Sequence, residues 1–129
     1  MVSITACYAG LLAILALVLG FQVGRMRLRT GISLYEGGDK PLAVAVRRHA
    51  NFIENVPLAL LLMLLAELNG TRVPILHGLG ATLVVARVLH PFGLDYDQVR
   101  TPLRGIGAGL TSLVIAAGAV LALWDAFKP

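Results

Sequence analysis

Arg47, Asn51 and Glu54 stand at i, i+4 and i+7 in the stretch RRHANFIENVP, residues 47–57. On a helix of about 3.6 residues per turn the three share one face, whereas Arg48 and His49 point elsewhere. A cation, an amide and a carboxylate then form a stripe roughly 10 Å long. Such a set suits a small zwitterionic or anionic ligand, with Arg47 meeting a carboxylate and Glu54 an ammonium. The same three residues also suit a structural part, bridging helices through hydrogen bonds. Pro57 has no N–H, so the carbonyl of Ile53 loses its helical partner and a kink is expected beside Glu54.

A second polar pair lies in ARVLHPFGL, residues 86–94. Arg87 and His90 are i and i+3 and share a face, and Pro91 frees the carbonyl of Arg87. A histidine at such a helix end fits either an interfacial position or a polar site, and a second polar stripe on the same side strengthens the site. No metal site is expected, because no His/Glu pair has ligand spacing and His49 lies off the Arg47 face.

The elements that must carry these residues are apolar. The chain of 129 residues is 57% hydrophobic and 14% charged, with a mean hydropathy of +0.81. That composition lies outside the range of soluble globular domains and predicts a membrane protein. No basic region precedes the apolar stretch from Ile4 to Val23, which is long enough for a span, so it reads as a transmembrane segment and not a cleaved signal. The single cysteine, Cys7, excludes an internal disulfide and reads as a packing residue. The net charge of +4 comes from basic residues beside apolar spans, not from an aromatic-interleaved patch, so nucleic acid is not an expected partner.

Four segments are predicted: about Ile4–Gly24, Pro41–Leu68, from just after Pro74 to about Leu94, and Pro102–Trp124. The second exceeds the roughly 20 residues that a bilayer needs, so its first turns, with the Arg47 stripe, are expected to project into the interface. TGISLYEGGDKP, NGTRVP and DYDQVRTP read as connections. Gly105, Gly107, Gly109 and Gly118 are expected where helices pack closely, and Trp124 and Phe127 as interfacial anchors. The fold class is therefore all-α, a four-transmembrane-helix bundle forming one domain over residues 1–129. Arg25, Arg27, Arg29, Lys40, Arg47 and Arg48 in or beside the first connection, with Arg100 and Arg104 at the third, outnumber Arg72 and Lys128. The first and third connections are thus expected in the cytoplasm, and both termini on the other side.

With these residues set out, the chain resembles the membrane-associated proteins in eicosanoid and glutathione metabolism, the MAPEG family. The pattern R-x-H-x-N-x-x-E-x-x-P, filled by Arg47, His49, Asn51, Glu54 and Pro57 and followed by LALLLMLLAELNG, resembles the family's second-helix signature. AR-x-x-H-x-x-G, filled by Arg87, His90 and Gly93, is similar to the third-helix end of its bacterial branch. The resemblance covers nearly the whole chain. It implies a homotrimer in a bacterial inner membrane with glutathione bound between subunits near the cytoplasmic side. Arg47, Asn51 and Glu54 match the family's glutathione-binding residues, Arg87 and His90 the third-helix positions, and Arg25 or Arg27 the arginine near the end of helix one. Arg104 or Arg100 would be the arginine that stabilises the thiolate. The eukaryotic synthases of the family carry Tyr where this chain has Asn55, His90 and Leu94, and an acidic–Arg pair where apolar residues surround Leu42.

Two functions compete at this level. One is a glutathione-dependent transferase or peroxidase acting on lipophilic electrophiles from the bilayer, its thiolate stabilised by an arginine. The other is a non-enzymatic membrane protein that binds a lipid or small anion at the subunit interface.

Overall fold

The computed structural model describes residues 2–127, which form four helices: α1 (Ile4–Thr30), α2 (Lys40–Leu68), α3 (Val73–Phe92) and α4 (Pro102–Phe127). All four are long and apolar enough to cross a membrane. Lys128, which enters the charge comparison above, lies outside the described residues.

Local sequence explains where the helices start and stop. α1 runs six residues beyond Gly24, through RMRLR, and ends at Gly31. The residue after its last turn has φ of 71°, a conformation glycine adopts without strain, and its N–H donates to the Arg27 carbonyl at 2.9 Å. α2 starts at a cap: the Asp39 carboxylate accepts from the Leu42 N–H at 2.7 Å, and Pro41 sits in the first turn where no N–H is needed. The helix continues through Pro57 without a break in assignment. Its 29 residues amount to about 43 Å, against about 30 Å of hydrocarbon. The expected projection of its first turns needs such an excess, which tilting of the helix would also take up.

α1 packs on α2 and α3, and α4 packs on α3 and α2, while α1 and α4 make no contact among the described residues. Leu12, Leu19, Phe52, Val56, Ala59, Met63, Leu83 and Val114 form the core. Leu17, Phe21, Leu61, Leu113 and Leu123 face outward, as lipid-facing side chains of a bundle should. Trp124 and Phe127 are also exposed near the end of α4.

Of the four glycines expected at close contacts, two are there. A Cβ on Gly107 would lie 2.8 Å from the Ala86 carbonyl oxygen, and one on Gly118 would lie 2.8 Å from Leu62 Cβ. Gly105 and Gly109 face open space within the protomer, one helical turn apart on the outer side of α4. Cys7 likewise faces outward and is not a core residue, because it lies on the side of α1 away from the buried Thr5, Leu12 and Leu19.

Candidate functional site

The helix-two stripe splits between two faces. Arg47 Nη2 and Glu54 Oε2 pair at 2.5 Å, with about half of each side chain exposed, 53% and 51%. Asn51, between them in sequence, turns toward the bundle, where its Oδ1 accepts from Arg87 Nη1 at 2.9 Å. Arg87 is only 2% exposed. Its Nη2 donates to the Gly107 carbonyl at 3.1 Å, and Thr111 donates to the same oxygen at 2.8 Å. A side chain at 107 would push α4 away from α3 and take that carbonyl out of reach. Arg87 is therefore a cross-bundle tie between α2, α3 and α4. His90 is 4% exposed and lies against Gly107, also inside the bundle. Neither is among the residues that line the cavity beside Arg47, so both stand behind that cavity.

Because a guanidinium only donates, it fixes the Asn51 amide with the oxygen inward. The amide nitrogen makes no hydrogen bond with the described residues and is left for another acceptor. Asn55, where family synthases have Tyr, donates to the Asn51 carbonyl at 2.8 Å.

Arg47 also lines a concavity of about 320 Å³ with Glu36, Ala50, Leu94, Tyr96 and Arg104. Two arginines, Glu36 and Asp95 give this cavity two charges of each sign. Arg104 reaches it because α3 and α4 meet tightly: Gly93 abuts the backbone of Leu103 and Arg104, and the Thr101 hydroxyl donates to the Gly93 carbonyl. Arg100 does not line this cavity; it borders a separate depression that it shares with Arg104.

The helix-one arginines part company. Arg27 Nη1 donates to the Ile32 and Tyr35 carbonyls at 3.1 and 3.0 Å and so pins the first connection. Arg25 lines a second cavity of about 650 Å³ with Lys40, Arg48, Tyr96 and Asp97, on the other side of the third connection from Arg47. Lys40 pairs with Asp97 at 2.8 Å and sits 4.9 Å from the Tyr96 ring centre, which ties the start of α2 to that connection.

Sequence reasoning missed Glu67. Its Oε1 accepts from the Ser3 and Ile4 N–H groups at 2.9 Å each, and its Oε2 accepts from Thr5 N–H at 2.7 Å. A carboxylate from α2 thus caps the N-terminus of α1, where orphan donors and the helix dipole favour an anion. The available signal was a lone acid at the end of the apolar run LLMLLAEL. Nothing local named its partner 62 to 64 residues away.

Comparison with known proteins agrees with this architecture. The family model described as "MAPEG family" matches residues 5–124. "Inner membrane protein YecN" of Escherichia coli (strain K12) is 32% identical over 112 residues, covering 87% of this chain and 86% of its own length. The protein of the same name from Escherichia coli O6:H1 matches to the same extent. That name gives a location and no chemistry. The chain belongs to the MAPEG family.

Proposed function

We propose that this member of the MAPEG family is an integral protein of a bacterial inner membrane that uses glutathione against lipophilic electrophiles, as a transferase or peroxidase, and works as a homotrimer. The observation that carries the reading is the cavity holding both Arg47 and Arg104. Its volume of about 320 Å³ is within the range of small-molecule sites, about 300–1,000 Å³. Glutathione carries two carboxylates, one ammonium and a thiol; the cavity offers Arg47 and Arg104, and Glu54, outside its lining, pairs with Arg47. Arg47 meets a carboxylate, Glu54 the ammonium, and the free Asn51 amide nitrogen a further oxygen. The Arg47–Glu54 pair is half exposed, so exchanging it for ligand contacts costs little. Arg104 is favoured over Arg100 as the thiolate partner because it alone shares the cavity with Arg47.

A guanidinium beside the sulfur favours the charged thiolate and lowers the thiol pKa. The thiolate sulfur then attacks an electrophilic carbon of a substrate arriving from the bilayer, forming the S–C bond as the leaving group departs with its electron pair. With a hydroperoxide the thiolate attacks the terminal oxygen, the O–O bond breaks and the alkoxide leaves as the alcohol, and a second glutathione thiol displaces water from the sulfenic acid to form the disulfide. The concentration of Lys and Arg at this end of the bundle supports a cytoplasmic location for the cavity, where glutathione is available. The name of the Escherichia coli relative supports the inner membrane.

The test is glutathione conjugation by purified protein against a panel of hydrophobic electrophiles, with binding measured in parallel. Arg104→Ala is expected to lower kcat/KM by roughly a hundredfold or more, as expected for removing a donor aimed at developing negative charge, while Arg100→Ala stays near wild type. Binding without turnover by the wild type would support the alternative, a non-enzymatic protein that binds a small anion or lipid. Equal losses in the two variants would remove the assignment of Arg104.

A further inference from the structure

The second cavity is not accounted for by the glutathione reading and has its own chemistry. It is bounded by the end of α1 (Gln22, Arg25, Met26), the start of α2 (Lys40 to Arg48) and the third connection (Leu94 to Asp97). Val44, Leu94, Asp95 and Tyr96 also line the Arg47–Arg104 cavity, so the two concavities back onto a common wall. Three cations and two carboxylates line it. Each carboxylate already has donors: Asp97 takes Lys40 through both oxygens, at 2.8 and 3.1 Å, and Asp95 Oδ1 accepts the Asp97 and Gln98 N–H groups at 2.9 and 3.0 Å. Arg25 and Arg48 remain. Arg25 makes no hydrogen bond or ion pair with the described residues. Arg48 gives only one N–H, Nη2 to the Leu94 carbonyl at 3.2 Å, and its Nε is sequestered without an acceptor. A part-buried guanidinium with so few of its N–H groups paired leaves donors for an anion.

Depth says which anion is at hand. The cavity lies where α1 leaves its apolar stretch and where Arg25, Arg27 and Arg29 follow one another, at the level of lipid head groups. We infer that this cavity binds a phosphate group through Arg25 and Arg48, supplied by an anionic phospholipid of the adjacent leaflet. The guanidiniums take the phosphate oxygens in the paired geometry that arginine offers, and the exposed apolar flank of α1 below them is open to the acyl chains. The family resemblance offers Arg25 or Arg27 to glutathione; this inference gives Arg25 to the phosphate, and it uses neither Arg47 nor Arg104.

The experiment is native mass spectrometry of the full chain in mild detergent, titrated with phosphatidylglycerol or with phosphatidylcholine of the same chain length. The wild type is expected to retain the anionic lipid in preference to the zwitterionic one. Arg25→Gln and Arg48→Gln should each weaken that retention by roughly tenfold, the loss of one charge-assisted contact, and Arg48→Lys should restore part of it. Arg25 is exposed, so its variant decides the matter even where the Arg48→Gln protein fails to fold. Equal retention of the two lipids, or unchanged retention in the Arg25 variant, would overturn the site. Inorganic phosphate alone giving the same saturable binding would replace the lipid by a soluble source. Displacement of the lipid by glutathione would return the cavity to the glutathione site and overturn the inference.

Discussion

Asn51 Oδ1 accepts a hydrogen bond from Arg87 Nη1 at 2.9 Å, from one helix of the bundle to another. The residue that looked like the middle of a ligand stripe is thereby half structural. Asn51→Leu should strip a buried guanidinium of one of its two acceptors and destabilise the protein by about 1–3 kcal/mol. Asn51→Asp should keep or strengthen the tie to Arg87 yet remove the amide donor. Thermal melting and glutathione titration of both variants check this: the aspartate variant is expected to melt like wild type and bind glutathione roughly tenfold more weakly. Wild-type affinity in the aspartate variant would leave Asn51 with its structural part alone.

Glu54→Gln removes one partner of an ion pair whose side chains are half in solvent. Exposed pairs contribute little to stability, so the melting temperature should barely move. Glutathione affinity should fall by roughly tenfold or more, because the ligand ammonium loses its charged partner. A large drop in melting temperature with unchanged affinity would assign the residue to the fold.

Glu67→Gln tests the cap on α1. The neutral amide presents one oxygen where the carboxylate presents two to three N–H groups, and it does not complement the helix dipole. Amide hydrogen exchange at residues 3–8 should speed up, with little change in α4. Exchange as slow as in wild type would mean that other acceptors replace the carboxylate.

Topology and assembly have direct readouts. Because Cys7 is exposed, labelling needs a Cys7→Ser background. In it, Ser33→Cys should react from the cytoplasmic side and Thr71→Cys from the opposite side. Native mass spectrometry should give three protomers. Labelling of both positions from one side contradicts the orientation, and a monomer that retains activity contradicts the trimeric site.

Much of this architecture was legible in one dimension. Four apolar runs of membrane-spanning length can hardly do anything else in a bilayer, where backbone groups must be satisfied within each segment. Asp39 with Pro41, Gly31 and the Asn69–Gly70 turn set the ends of helices by local chemistry, so those boundaries fall within a few residues of the expected ones, except where α1 extends through its arginines. Helical spacing put Arg47, Asn51 and Glu54 on one face of a helix, and all three lie on α2. Spacing alone specifies an angle around an axis, however, and not what lies opposite. Tertiary packing turned Asn51 inward onto Arg87, because the glycine at 107 lets α4 come close enough to offer its carbonyl to the same guanidinium. It separated Arg100 from Arg104, four residues apart on adjoining structure, since only one of them lies beside Arg47. It also paired Glu67 with the start of α1. Such partners come from helices distant in sequence, and only the distances between helix axes, decided by the small residues at their crossings, bring them within hydrogen-bonding reach.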